Sequence, residues 1–342
     1  MKGARRKAAV QRMETASHTI PAEIVHAYYP SGVAQQTILS DGKVNTTLKV
    51  VDDMGLESIL QRLNPMFDAC MAEDYAVVSR HLQEKGWEIA TPRASIDGRY
   101  HVRDTSQTPC RSFTYLASDG EVPTPRKEPE ALHIALSGLL GSLHNSLAEL
   151  DYIPAFSLPH FHQTEHYAAH LEGLLSQLPS NATRTLGANS IRLCRERAIS
   201  SRPEQLIHGD PKLANALYRG GMPFTFVDFD TLMRGNPLID VGDMLRSITG
   251  KLLDGSPEYV QRQLTAVIAA YYEHAKPSLA EKMFEHEALA AARQIALELG
   301  IRYLIDSVEA AYFDWDPERY ESRTDHNIAR AQTQWDVHEM LS

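Results

Sequence analysis

The stretch "HGDPKLAN", residues 208–215, sets a histidine, an aspartate, a lysine and an asparagine within eight positions, interrupted by Gly209 and Pro211. These are the parts that phosphoryl transfer needs: a carboxylate beside the attacking hydroxyl, hard oxygens for a divalent cation, and a cation for the terminal phosphates. Asp210 suits the carboxylate that orients and deprotonates an acceptor hydroxyl, and Lys212 the ammonium that neutralises a γ-phosphoryl group. Asn215 and, further on, Asp228 offer oxygens of the kind Mg2+ takes. His208 reads as a loop brace rather than a base.

A hairpin must bring the last of these residues home. In "NALYRGGMPFTFVDFD" an apolar run meets Gly220 and Gly221, and a β-rich run then ends at Asp228. A turn at the two glycines returns Asp228 to the side of Ala214 and Asn215. A rival constellation lies in "HFHQTEHYAAH", where His162, His166 and His170 recur every four residues and would share one helical face. That spacing can build a zinc site, but no H-E-x-x-H and no fourth ligand accompany it, so a solvated histidine face is expected.

The surrounding elements follow from periodicity. Thr47 to Val51 and Ser58 to Leu63 are extended runs separated by Asp52, Asp53, Met54 and Gly55, a β-hairpin pattern. Met71, Tyr75, Val78 and Leu82 then recur at helical steps up to Gly86, and "GRYHVRD" and "CRSFTYLAS" read as further strands. Residues 21–118 form one α+β lobe on this reading, after a disordered basic tail over residues 1–20. The proline-rich "SDGEVPTPRKEPE" marks the boundary, and residues 119–342 are mostly helical. There Leu132, Leu136, Leu139, Leu143, Leu147 and Leu150 line one helix face as core.

A chain of 342 residues is long enough for two lobes with a nucleotide in the cleft between them. The formal net charge of -10 argues against a nucleic-acid binder, and no apolar run is long enough to span a bilayer. Cys70, Cys110 and Cys194 are too few and too scattered for a disulfide framework, which suits a cytoplasmic protein. Monomer and dimer are both open.

The loop has the spacing of the protein-kinase H-R-D-L-x-x-x-N motif, and "VDFD" stands where kinases carry D-F-G. After Asp228 the chain runs almost at once into "IDVGDMLRS", with no room for an activation segment, so a small-molecule acceptor is expected. The chain resembles the aminoglycoside phosphotransferase and choline kinase superfamily, and most the N-acetylhexosamine 1-kinases. "ILQRLNPMF", "LPHFHQTEHY", "VDFDTLMRGNPLIDVGDMLRS" and "HNIARAQTQW" carry the likeness, which runs from about residue 40 to near the end.

The resemblance implies a bilobal, protein-kinase-like α+β fold using ATP and Mg2+, with Asp210 as base and Asn215 and Asp228 as magnesium ligands. It implies that Asp230 and Asp243 lie near the acceptor, that Asp240 is structural, and that Arg302 and Tyr312 contact the substrate. Adenine would meet backbone groups from Tyr115 to Ala117. Lys43, Asn45 and Thr46 belong to the turn resembling the family's phosphate-covering one, and Lys43 replaces a histidine common in the sugar kinases. Gln61 and Arg62 occupy the strand where protein kinases carry a phosphate-binding lysine. They point to opposite faces, so one of them reaches the nucleotide, with Glu73 as a partner. The expected reaction is phosphorylation of the anomeric hydroxyl of an N-acetylhexosamine. An aminoglycoside, amino-alcohol or cyclitol acceptor is the alternative, and a degenerate kinase acting as a binding module is a third reading.

Overall fold

The structure is a computed structural model, and it describes residues 20–41, 45–64, 67–119, 129–196, 198–275 and 285–342. Two compact units result, Met1–Val77 with Ala90–Leu116, and Val78–Ile89 with Ala117–Ser342.

In the first unit, α1 (Ala22–Tyr28) precedes a sheet built from β1 (Val33–Asp41), β2 (Thr46–Asp52), β3 (Glu57–Arg62), β4 (Pro92–Arg93), β5 (Val102–Arg103) and β6 (Pro109–Thr114). The order is β1-β2-β3-β6-β4, with β5 also on β6 and every pair antiparallel. The β2–β3 hairpin forms as its sequence predicts, with Thr46 opposite Arg62 and Val51 opposite Glu57. Its turn is held by Asp52 Oδ1, which accepts the N–H groups of Met54 and Leu56 at 2.9 Å each.

Strand alternation then gives the sheet two distinct faces. One face sends Leu48, Val50, Leu60 and Cys110 into a core with Ile24, Ala27, Tyr28 and Tyr29 of the α1 region. The other carries Thr47, Lys49, Gln61 and Arg111. Ile20 is part of that core, so the fold begins inside the stretch expected to be a tail, whose residues 1–19 lie outside the described ones. Strand β1 is absent from the sequence reading because it lies at the sheet edge, with Ile38 and Leu39 45% and 52% exposed, and so lacks a buried periodic face.

Helix α2 (Met71–Glu84) buries Met71, Tyr75, Val78 and Leu82, as its spacing predicts. It stops at Gly86, whose φ of 87° and whose following bond from Trp87 N–H to the Leu82 carbonyl make a C-terminal cap.

The second unit is mainly helical: α3 (Pro129–Leu147), α4 (Thr164–Leu174), α5 (Asn181–Glu196), α6 (Pro237–Thr249), α7 (Pro257–His274), α8 (Glu285–Glu309) and α9 (Arg323–Met340). The α3 stripe is core, but it runs through Leu140 rather than Leu139, and the helix ends before Leu150. Helix α8 is the axis of the unit. Its Leu297, Ile301 and Leu304 pack with Leu171 of α4, Ile191 of α5 and Ala331 of α9. A Cβ on Gly242 would lie 2.8 Å from the Ala291 carbonyl carbon, so glycine lets α6 approach α8.

Two small sheets interrupt the helices. β8 (Ala216–Arg219) and β9 (Met222–Phe226) form the expected hairpin, with φ of 59° at Gly220 and 76° at Gly221. β7 (Gln205–Ile207) pairs with β10 (Met233–Gly235), a pairing too short to leave a periodic signal.

Candidate active site

Strand β7 delivers the chain into the loop at His208. Gly209 has φ of 86°, and a Cβ there would lie 2.4 Å from the Thr231 carbonyl oxygen, so both conformation and space demand glycine. Asp240, in the first turn of α6, accepts the N–H of His208 and the N–H of Gly209, each at 2.8 Å. His144 Nε2 of α3 donates to the same carboxylate at 3.0 Å, and the Tyr271 hydroxyl of α7 lies 2.6 Å from His144 Nδ1. Asp240 thus ties the loop to three helices, which fits the structural role expected of it.

His208 is fully buried. Its Nε2 donates to the Val227 carbonyl at 2.9 Å, and its Nδ1 accepts the Asp210 N–H at 3.3 Å. One donor and one acceptor make a neutral ring, and burial holds its pKa below the ordinary histidine value. The ring therefore links the loop to the end of β9 and does not face the solvent as a base would.

Asp210 is a quarter exposed. Burial raises its pKa, but the adjoining Lys212 ammonium outweighs that and leaves it below the ordinary carboxylate range, so the group is ionised at neutral pH. Lys212 Nζ donates to Asp210 Oδ2. Burial opposes the ammonium's charge, yet Asp210, Asp228 and Asp243 raise its pKa above the ordinary lysine value. Expected on phosphate, Lys212 stands here on the carboxylate it follows, in a field of acids.

Asn215 Nδ2 donates to the Asp210 carbonyl at 2.8 Å and to Oδ2 at 3.1 Å. Its nitrogen is thereby committed and its amide oxygen is left for a cation. Ala216 pairs with Phe226, and the Val227 N–H donates to the Asn215 carbonyl at 2.8 Å, which brings Asp228 to the same end of the hairpin. Asp228 adopts a left-handed backbone, φ 66° and ψ 54°. Two hard oxygens from Asn215 and Asp228 fit a magnesium ion that also takes phosphate oxygens and water. Among the described residues no group of three or more His, Cys, Asp or Glu forms a metal site. Asp230 is buried in the turn that follows.

Arg302 of α8 and Tyr312, the two residues expected to contact the substrate, lie together in one aromatic cluster. The Arg302 guanidinium lies 5.1 Å from the ring centre of Phe161, 5.4 Å from Tyr167, 5.3 Å from Tyr312 and 5.6 Å from Phe313. Among the described residues it makes no hydrogen bond or ion pair. Asp306, one turn further along α8, accepts the N–H groups of Ala311, Tyr312 and Phe313 at 2.8, 2.6 and 3.1 Å and the Asn327 amide at 2.8 Å. Asp306 and the collar residues Phe161, Tyr167 and Phe313 were not singled out in the sequence; the only signal was an acid set in an apolar helix before an aromatic cluster. Asp243, expected near the acceptor, is 6% exposed and holds Arg246 through Oδ1, while its buried Oδ2 has no hydrogen-bond partner among the described residues.

Of the three histidines only His166 and His170 share a face of α4. His162 precedes α4 with φ of 56°, His166 stacks on His160 with ring centres 3.7 Å apart, and His170 pairs with Glu309 at 2.8 Å. The expected periodicity fails because the helix starts only at Thr164.

In the first unit, Lys43 lies outside the described residues. Asn45 is buried and its Oδ1 accepts the Asn64 N–H at 2.9 Å, while Thr46 is paired in the sheet opposite Arg62. Arg62 points to the α1 side, where Nε and Nη2 donate to buried Asp104 at 3.0 and 2.6 Å. Gln61 faces the other way, giving Nε2 to Thr47 at 3.3 Å and taking the Arg111 guanidinium at 3.0 Å. The cation beside Gln61 is therefore Arg111 of β6, unanticipated because the two residues are 50 apart in sequence. Glu73 bonds His101 at 3.0 Å instead of partnering Gln61 or Arg62. Strand β6 stops at Thr114, so Tyr115 to Ala117 lie outside regular secondary structure. Lys49 Nζ lies 3.9 Å from the Tyr115 ring centre, and the Ala117 carbonyl is already engaged by Arg219 at 3.0 Å.

A family model described as the phosphotransferase enzyme family matches residues 35–281. A homoserine kinase of Neisseria meningitidis serogroup B (strain ATCC BAA-335 / MC58) is 28% identical over 211 residues, 60% of this chain and 63% of the relative. The chain therefore spans less than two thirds of that relative's length. An amicoumacin kinase solved with AMP-PNP, Ca2+ and Ami superposes with a TM-score of 0.64 at 15% identity, covering 93% of this chain and 91% of that one. An aminoglycoside phosphotransferase from Alicyclobacillus acidocaldarius gives 0.59 at 15% identity, covering 94% and 95%. These likenesses establish the kinase-like α+β fold. No helix among the described residues is long and apolar enough to cross a membrane.

Proposed function

The chain belongs to the phosphotransferase enzyme family, and from that premise we propose that it transfers the γ-phosphoryl group of ATP to a hydroxyl of a small molecule. The observation that carries this reading is the ionised Asp210 carboxylate, fixed by Asp240 and His208 at the hairpin end where Asn215 and Asp228 offer their oxygens. As the acceptor oxygen bonds to the γ-phosphorus and the bond to ADP breaks, the hydroxyl proton passes to Asp210. Lys212 keeps that carboxylate ionised until then. Asn215 and Asp228 would hold a magnesium ion, which would neutralise charge on the phosphates.

The acceptor we favour is a sugar, the anomeric hydroxyl of an N-acetylhexosamine. The aromatic collar offers faces for sugar C–H groups, and Arg302 offers donors for ring substituents. A second reading, a hydroxy amino acid of the homoserine type, is favoured by the Arg302 guanidinium, which has no ion-pair partner among the described residues and matches a carboxylate. A polycationic acceptor would meet that charge unfavourably. The test incubates the protein with ATP, Mg2+ and a panel of N-acetylhexosamines, homoserine, choline and aminoglycosides, and locates the phosphate by 31P NMR. A phosphorylated sugar or hydroxy acid is expected; ATP binding without any phosphorylated product would leave a binding module and refute the reading.

A further inference from the structure

His162 reaches the catalytic loop from a strained backbone, φ 56°, which side chains bearing a Cβ rarely adopt. Its Nε2 lies 2.7 Å from the Gly209 carbonyl oxygen and its Nδ1 lies 3.1 Å from Glu298 Oε1. The two side chains are 5% and 2% exposed. Both facing atoms accept only, since Gly209 presents a carbonyl and Glu298 a carboxylate whose Oε2 takes the Thr164 hydroxyl at 2.6 Å. A neutral imidazole has one N–H and would set a lone pair against one of these oxygens, so the ring that satisfies both is the imidazolium.

The Gly209 carbonyl belongs to the same peptide group as the Asp210 N–H, which His208 Nδ1 accepts. That peptide is therefore gripped at oxygen by His162 and at nitrogen by His208. We propose that His162, kept cationic by Glu298, is a positioning residue that fixes the Gly209–Asp210 peptide plane and so aims the Asp210 carboxylate at the acceptor hydroxyl.

The charges facing the pair are Glu298 and Arg302 on α8 and Asp243 on α6. Burial opposes the charged ring, but Glu298, the Gly209 carbonyl and Asp243 outweigh it and hold the pKa above the ordinary histidine value. The clamp is complete below that raised pKa and is lost as pH rises through it. Removing the Glu298 charge moves the loss to lower pH.

The test follows the 15N ring shifts of His162 against pH, assigned by their loss in His162→Ala, alongside the pH profile of kcat. Both nitrogens are expected to be protonated at pH 7, above the ordinary midpoint of about 6.5. In Glu298→Gln the midpoint falls by about one unit or more, and the alkaline limb of kcat falls with it. His162→Ala loses about 10- to 100-fold in kcat, with both KM values within about twofold. A ring with one bare nitrogen at pH 7 overturns the proposal, as does a midpoint unmoved in Glu298→Gln or a kcat limb that stays while the midpoint moves. The kinetic arm rests on the phosphotransferase reading and the NMR arm does not. If the ring behaves as expected and no acceptor is phosphorylated, that reading fails and the pairing stands. If the enzyme is active and the ring is neutral, the pairing fails and the phosphotransferase reading stands.

Discussion

Replacing Asp240 with asparagine tests what holds the loop. The carboxylate accepts three hydrogen bonds, from His208 N–H, Gly209 N–H and His144 Nε2, at 2.8, 2.8 and 3.0 Å, and is fully buried. A carboxamide has one acceptor oxygen, so its NH2 must face at least one of these donors. A hydrogen bond to a charged group contributes about 1.5–3 kcal/mol, and a stranded buried donor costs about 1–3 kcal/mol. One lost bond with one stranded donor gives about 3–5 kcal/mol after non-additivity, the range for breaking a buried charged pair. In a unit of this size that corresponds to a fall of about 6–20 °C in Tm. Urea titration followed by tryptophan fluorescence, with calorimetry, reads the effect, and kcat should fall with it because the loop loses its anchor. A variant within about 0.5 kcal/mol of the parent would refute the hydrogen-bond account of the loop.

Gly209→Ala should lose stability by about 2 kcal/mol or more and lower kcat, because φ of 86° and a Cβ 2.4 Å from a backbone oxygen both oppose it; denaturant titration and steady-state rates check this. Asp306→Ala frees the backbone of Tyr312 and Phe313 and should raise KM for the acceptor about tenfold while leaving KM for ATP unchanged. Lys212→Met removes the cation that depresses the Asp210 pKa. In the parent, activity should persist as pH falls to below about 4 and be lost as Asp210 protonates, whereas in the variant the acid limb of kcat should move to higher pH. An acid limb unmoved in Lys212→Met would show that the ion pair does not set the base's charge.

The loop and its hairpin were legible because their signals are local. Gly220 and Gly221 fix the turn, and the short runs on either side return Asp228 to the Asn215 end even though a bulge between Leu217 and Tyr218 shifts the register by one. Helix α2 was legible because four apolar residues share one face, and the β2–β3 hairpin because Asp52 and Gly55 mark its turn. What escaped depends on long-range pairing. Arg111 reaches Gln61 only once β6 lies beside β3, and Arg62 is withdrawn to Asp104 by the same alternation of faces. Glu298 and His162, 136 residues apart, carry no mutual signal. The histidine spacing misled because periodicity assumes that a helix has already begun, whereas His162 lies two residues before it.

The most direct measurement compares Asp210→Asn with the parent protein, following phosphate transfer from ATP to the acceptor identified in the panel. Asparagine keeps the shape of the group and cannot take the proton. The account predicts a loss in kcat of about 100- to 10,000-fold with nucleotide affinity unchanged. Full turnover in Asp210→Asn would contradict it.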